Sequence, residues 1–261
     1  MRKAELVQRE DLESVCRQKY GELSKTGWRP RLRHSFGYFT PDEYYEAVVG
    51  RLVQPGCAWL DVGGGRDIFP DNRELARELA NRCGRLVAVD PDATVEENPF
   101  AHTRVRARIE DYASEERFDL ATLRMVAEHI EQPESSVASL ARLVKPGGKA
   151  VVYTINKWSP VSLVSWLTPF GLHHRIKQFF WNTEEKDTFP VAYRMNSHRE
   201  LKLLFQRNGF RETAFAYLDD CRTLQRFRLL TYAELTMWKL MRTVGMHYPE
   251  NCLLGIYERQ E

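Results

Sequence analysis

The stretch Cys57 to Asp71, CAWLDVGGGRDIFPD, constrains the fold more than any other. A short apolar run containing Asp61 delivers the chain into Gly63, Gly64 and Gly65. The segment that follows, NRELARELANRC, repeats its apolar residues at helical spacing. A buried strand turning through glycines straight into a helix opens a strand-helix-strand unit, whose next strand must run parallel to the first. The same alternation recurs downstream. RLVAVD (85–90) reads as a second strand, TRVRARIED and RFDLATLR as the third and fourth, ASLARLVKPGG as a helix with a Pro-Gly-Gly stop, and KAVVYTI as a fifth strand. After an interruption, SHRELKLLFQRNGF reads as a helix capped by Ser197 and terminated by Gly209. RETAFAYL is a sixth strand, TLQRFRLLTYAELTMWKLMRTVG a long helix and CLLGIYERQ a last strand. Together these predict an α/β fold, a doubly wound, mostly parallel seven-stranded sheet.

Upstream, Leu6, Leu12, Val15 and Cys16 lie near helical spacing among charges and predict an amphipathic N-terminal helix. The arginine- and aromatic-rich segment that follows reads as a loop. Thr40, Pro41, Asp42 and Glu43 then supply an N-cap, an N1 proline and an acidic first turn for a helix running to about Leu52. The expected organisation is an N-terminal helical extension and cap over 1–54 and a main domain over 55–261, with 157–196 inserted after the fifth strand.

Composition narrows the function classes. The 38 Lys and Arg against 36 Asp and Glu leave a net charge of +2, too near neutral for a nucleic-acid partner. Five scattered cysteines, with no CxxC pair and no histidine at ligand spacing, predict reduced thiols and no metal site. The N-terminus lacks the apolar stretch of a signal peptide and no window is long and apolar enough to span a bilayer, so a cytoplasmic location is expected.

In a doubly wound sheet the first strand-to-helix turn lies at the ligand crevice, where glycines admit a ligand close to the backbone. A pyrophosphate there would meet Asp61 and Asp67 with only Arg66 to compensate. A ligand bearing an ammonium and a sulfonium, with hydroxyls and adenine in place of phosphates, meets the carboxylates favourably. S-adenosylmethionine fits that description, and a nicotinamide dinucleotide does not.

LDVGGG, followed by VAVDPD, IEDY, FDLATLRMVAEHIEQP and LVKPGGKAVVYTIN, resembles the class I S-adenosylmethionine-dependent methyltransferases, with ubiquinone-type O-methyltransferases and related small-molecule enzymes as the nearest flavour. The resemblance covers residues 55–160 well and the remainder in outline, and implies a Rossmann-like sheet. It assigns Gly63, Gly64 and Gly65 to close backbone approach, Asp61 to the ammonium of the donor, and Asp90 to both ribose hydroxyls, a carboxylate having several acceptor sites and no donor. It sets Pro91 beside the adenosine and Glu110 or Asp111 at the adenine amine. Arg124 falls where the family contributes backbone to the methionine end. Asp67 replaces the family's frequent third glycine, and Arg108 stands where an acid often precedes the adenine motif.

On the acceptor side, His129 is the candidate general base, its ordinary pKa lying near neutrality, although Glu128 and His129 would also serve to anchor a helix start. Tyr153, Asn156, Tyr193 and Arg194 have the chemistry of a substrate rim, while aromatics at a strand end also build core. The insertion carries Trp158, Trp166, Phe170, Phe179, Phe180 and Trp181 around His173, His174, Arg175 and Lys177. It is expected to form the acceptor pocket as a lid, with core packing or peripheral membrane contact through 157–181 as the other readings. No Asn/Asp-Pro-Pro-Tyr/Phe motif follows the fourth strand, which disfavours nucleic-acid and glutamine amino-methylation. The expected activity is methyl transfer to a small molecule, first to a hydroxyl on an apolar, aromatic, lipid-like or glycan-like metabolite. Methylation at carbon or nitrogen, a catalytically silent partner protein of the same fold and a nicotinamide-dependent oxidoreductase are the alternatives.

Overall fold

The computed structural model describes residues 6–22, 24–160 and 191–261. Three helices precede the sheet: α1 (Arg9–Tyr20), α2 (Trp28–Phe36) and α3 (Pro41–Leu52). Thr40 caps α3 by accepting the Glu43 N–H at 3.3 Å, while the Glu43 carboxylate accepts the Thr40 N–H at 2.7 Å, a reciprocal capping box with proline in the first turn. The strands are β1 (Ala58–Val62), β2 (Arg85–Asp90), β3 (Thr103–Arg106), β4 (Phe118–Arg124), β5 (Val144–Ile155), β6 (Phe210–Leu218) and β7 (Cys252–Arg259). Interleaved with them are α4 (Arg73–Arg82), α5 (Pro133–Leu143), α6 (His198–Arg207) and α7 (Arg228–Thr243).

The sheet has the order β3-β2-β1-β4-β5-β7-β6, with β7 antiparallel to both of its neighbours and the other pairs parallel. This is the expected architecture, and it places the reversal of strand order between β1 and β4, where ligands of open sheets bind beyond the carboxyl ends. Cys252, which opens β7, stands opposite both Ile155 and Leu218. The entry to β7 therefore shares that edge with the ends of the parallel strands.

Side-chain alternation divides the core between the two faces. On one, Trp59, Leu86 and Tyr153 pack with Tyr45 and Val49 of α3, Val15 of α1 and Leu79 of α4. On the other, Leu60, Val87 and Val152 pack with Leu140 of α5 and Phe205 of α6. Strands covered on both faces read as nearly continuous apolar runs, as RLVAVD and KAVVYTI do. The N-terminal helices thus share a core with the sheet. A smaller cluster of Tyr38, Cys221, Leu235, Trp238 and Tyr248 joins α7 to Leu32 and Phe36 of α2.

Two local expectations are corrected. The segment around Trp28 is helical: Pro30 is tolerated because it sits in the first turn, where no intrahelical N–H bond is lost, and Gly37 closes the helix at φ 68°. Helix α5 starts five residues before the expected Ala138, at Pro133, and ends at Leu143. Val144 already pairs with Phe118, so the Lys-Pro-Gly-Gly that follows bulges the start of β5 instead of stopping the helix.

Candidate active site

Gly63, Gly64 and Gly65 leave β1 at its carboxyl end, directly opposite the turn that leaves β4. Gly63 has φ 74° and donates its N–H to the Val89 carbonyl at 2.8 Å, which pins the turn to β2. A Cβ on Gly63 would lie 2.0 Å from Val126 Cγ2. The sequence reading gives that space to a ligand; the structure gives it to the neighbouring turn. At Gly64 a Cβ would come within 2.9 Å of both Asp61 Oδ2 and Ala88 Cβ. The glycines therefore let three backbone segments converge around two carboxylates.

The first carboxylate is Asp61. It is buried, and Thr122 Oγ1 donates to its Oδ1 at 2.6 Å, Thr122 itself accepting from Trp59 Nε1 at 2.8 Å. Burial pushes the Asp61 carboxyl up to about 7, against the opposing Thr122 hydrogen bond and the Arg124 charge. Beside it, burial and the Asp61 charge raise the Tyr45 phenol, whose buried hydroxyl has no hydrogen-bond partner among the described residues. The second carboxylate, Asp90, ends β2. Its Oδ2 accepts the Gly65 N–H at 3.0 Å and its Oδ1 the Asp92 N–H at 2.8 Å. These bonds aim a half-buried carboxylate along the glycine turn, and burial raises its pKa despite them. Pro91 follows, exposed.

The nearby cations are engaged elsewhere. Arg66 pairs with Glu97 at 2.8 Å on the surface. Arg124 turns its guanidinium to Asp42 of α3 at 2.8 Å, and Arg222 binds the other Asp42 oxygen at 2.5 Å while holding Asp220 through two bonds of 2.7 and 2.8 Å. Burial would raise the Asp42 carboxyl, but Arg222 and Arg124 overrule it and hold it below the usual carboxylate range. This quartet fastens the cap helix α3 to the ends of β4 and β6. No local pattern marks it, because its members come from positions 42, 124, 220 and 222. Acceptor-only carboxylates at the turn, with the local guanidiniums already neutralised, suit a ligand with an ammonium and hydroxyl donors. The residues fit S-adenosylmethionine.

Of the two acids that the resemblance offers for the adenine, Glu110 turns inward, accepting from Ser136 of α5 at 2.6 Å, while Asp111 is exposed.

The turn after β4 is strained. Met125 has φ 52°, and Tyr193, in the segment that meets this turn, has φ 49°; no other non-glycine described residue has positive φ. The two are stitched together, the Glu128 carbonyl accepting the Ala192 and Tyr193 N–H groups at 2.7 and 3.2 Å. The buried Glu128 side chain accepts from Thr154 Oγ1 at 2.7 Å, and Thr154 accepts from Asn196 Nδ2 at 2.8 Å. Burial raises the Glu128 carboxyl against the Thr154 bond. Glu128 thus ties the turn to β5. His129 is half-buried in the turn, its N–H on the Val126 carbonyl at 2.9 Å.

Of the four rim candidates, Tyr153 is corrected. It is fully buried, stacked on Tyr45 with centroids 5.2 Å apart, and its hydroxyl meets Cys252 Sγ at 3.8 Å, so it belongs to the core. Asn156 donates to the Glu250 carbonyl at 2.9 Å and accepts the Trp158 N–H at 3.1 Å, closing the exit of β5. Arg194 is exposed and donates to the Glu131 carbonyl at 2.7 Å, bordering a cleft of about 510 Å³ with Glu131, Gln132, Val191 and Ala192. Tyr193 sits in the chain between the cleft-lining Ala192 and Arg194, its N–H on the Glu128 carbonyl. The predicted lid and the 157–181 membrane contact fall outside the described residues, apart from 157–160 and, for the lid, 191–196.

Comparison with known proteins bears on the family and the fold. A family model described as a methyltransferase domain matches residues 12–214. A ubiquinone biosynthesis O-methyltransferase of Leptothrix cholodnii is 30% identical over 186 residues, covering 66% of this chain and 74% of the relative. One from Xanthomonas oryzae pv. oryzae is 30% identical over 148 residues, covering 49% of this chain and 58% of the relative, so the chain spans little more than half the length of such curated relatives. Among solved structures, magnesium protoporphyrin IX methyltransferase from Synechocystis, with bound S-adenosylhomocysteine, superposes with a TM-score of 0.51 at 12% identity, covering 95% of this chain and 94% of that one. A putative methyltransferase of Haloferax volcanii, in complex with the Trm112 methyltransferase activator, superposes with a TM-score of 0.55 at 15% identity, covering 92% and 96%. The chain belongs to the class I S-adenosylmethionine-dependent methyltransferases.

Proposed function

We propose that this methyltransferase transfers the donor's methyl group to a hydroxyl of a small, largely apolar or aromatic acceptor. The observation that carries the donor half is the pair Asp61 and Asp90 flanking the glycine turn, neither of them in an ion pair with a basic side chain among the described residues. Asp90 would take the ribose hydroxyls. Asp61, with the unpartnered Tyr45 hydroxyl beside it, would take the methionine end, and Glu110 or Asp111 the adenine edge. Pro91 would border the adenosine, and the backbone at Arg124 the methionine end. When bound, S-adenosylmethionine supplies a sulfonium that is already an activated methyl donor. What remains for the chain is to hold the acceptor in line, exclude water and take up a proton. The reading assigns proton uptake to His129, in the strained turn beside Gly63, and acceptor contact to Asn156, Tyr193 and Arg194. The O-methyltransferase relatives support the choice of a hydroxyl over carbon or nitrogen.

The test has two parts. Thermal unfolding should shift upward with S-adenosylhomocysteine and not with a nicotinamide dinucleotide, since only a ligand of the native state raises the midpoint. Turnover against phenols, catechols and prenylated phenols, followed by mass spectrometry, should show addition of one methyl group to oxygen. Addition to carbon or nitrogen overturns the hydroxyl assignment, and donor binding with no turnover on any acceptor supports a silent partner protein.

A further inference from the structure

The layer between α3 and the sheet carries more negative charge than positive. Three carboxylates, Asp42, Asp61 and Asp220, lie there with two guanidiniums, Arg124 and Arg222. Arg222 spans Asp42 and Asp220, and Arg124 takes the other Asp42 oxygen. Asp61 is the carboxylate left without an ion pair among the described residues.

Strand geometry alone would also allow Arg124 to pair with Asp61. Asp61 stands opposite Thr122 in the parallel ladder, and Arg124 is two residues further along β4 on the same face. Strands about 4.8 Å apart, with a rise of about 3.3 Å per residue, set the two Cα atoms about 8 Å apart, within reach of an arginine side chain. The cap helix turns Arg124 to the other choice. Asp42 sits in the first turn of α3, where the helix dipole favours a carboxylate, and its side chain is 7% exposed. One turn on, Tyr45 stacks on Tyr153, and Glu46 accepts from Lys19 of α1 at 2.7 Å and from Asn72, the cap of α4, at 2.9 Å. These contacts fix α3 over the sheet, and with it the Asp42 carboxylate at the Arg124 guanidinium.

We propose that Asp42 is a positioning residue for donor binding: by holding the Arg124 guanidinium it keeps that cation off Asp61 and leaves the Asp61 carboxylate to the ammonium of the donor. The inference rests on the donor site proposed above. Asp42 acts through Arg124, not by touching the ligand. The charged and titratable groups that face Asp61 are Tyr45 of α3, Arg124 of β4 and Asp90 of β2. Of these, Arg124 is the one that loses its partner when Asp42 is removed.

The test is calorimetry with S-adenosylhomocysteine, which keeps the ammonium, beside unfolding midpoints of the free chain between about pH 5 and 7. Asp42→Asn should lower affinity by about tenfold or more, because a guanidinium in contact stabilises a carboxylate by at least that factor. In the free variant the fall in midpoint that Asp61 causes across that window should flatten, since a paired Asp61 is ionised there in the folded and unfolded chain alike. Adding Arg124→Met to Asp42→Asn should restore most of both. Arg222→Met breaks the same quartet but leaves Arg124 on Asp42, so it should lower the midpoint and keep affinity near that of wild type. Absence of rescue by Arg124→Met overturns the assignment. So does an equal loss of affinity in Arg222→Met, which would leave the quartet only its fastening of α3. If Asp61→Asn loses affinity while Asp42→Asn binds like wild type, this assignment falls and the donor site stands; if Asp61→Asn binds like wild type, both fall. Should Asp42→Asn alone fail to fold, Asp42→Asn with Arg222→Met removes one charge of each sign, and the loss and its rescue are read against Arg222→Met.

Discussion

The glycine turn, proposed as the donor half of the crevice, and the strained turn after β4, proposed as its acceptor half, are built in different ways. The first is short in sequence: Asp61 to Gly65 and Asp90 to Asp92 carry it, and its bonds are backbone N–H groups on carboxylates at 3.0 and 2.8 Å. The second is assembled from afar: Glu128, Thr154 and Asn196 form a buried chain of hydrogen bonds, while Asp42, Arg124, Asp220 and Arg222, equally scattered in sequence, fasten the cap helix α3 beside both. A cofactor common to a family can be held by a local backbone motif. An acceptor particular to one enzyme is met by side chains that only the fold collects, and the strain of Met125 and Tyr193 lies on that side.

The sharpest test of this division is Gly63→Val, because Gly63 touches both halves. A left-handed backbone costs a branched residue about 1–2 kcal/mol and overpacking about 1–3 more, so the variant should lose about 2–5 kcal/mol of stability in denaturant unfolding as well as donor binding. A variant of unchanged stability would show that the turn yields, and that the contact with Val126 does not join the halves. Next comes Asp90→Ala, which should weaken S-adenosylhomocysteine by about 1.5–3 kcal/mol in calorimetry and leave folding nearly intact. Unchanged affinity would remove Asp90 from the donor half.

Asp61 gives a pH test of intermediate size. Its carboxyl stands at about 7 in the folded chain against an ordinary value of 3.8. The native state therefore holds the proton more tightly, and the stability this group contributes is fully present below pH 3.8 and lost as pH rises through about 7. In the free protein Asp61→Asn should flatten the fall in unfolding midpoint across that window. A bound ammonium favours the ionised form, so ligand binding at about pH 6 should release protons in wild type and fewer in the variant, measured in buffers of different ionisation heat. Equal proton release in the two would remove the ammonium contact from Asp61. The smallest effect is expected at Arg194→Ala. This exposed side chain bonds one carbonyl, so stability should change by less than about 0.5 kcal/mol and donor affinity not at all, while acceptor KM rises if it belongs to the rim. An unchanged KM would leave Arg194 outside both halves.

Much of this was legible in the sequence where chemistry is local. The cap Thr40-Pro41, the limits of β1 and β2 and the carboxylates ending or flanking them follow from neighbouring residues, and the structure keeps them in place. Tyr153 was misread because a strand end looks the same whether the next layer is solvent or helix α3; the stacking of Tyr45 decides it. Trp28–Phe36 was misread because arginines and a proline obscure an apolar stripe that exists only against α7. The alternation of strand and helix, the glycine turn and the acidity of its rim were set by sequence alone, since each rests on backbone sterics or on charges a few residues apart. The burial that lifts Asp61 and the pairing that neutralises Arg124 were decided by tertiary structure, because desolvation and long-range pairing depend on which segments the fold brings together.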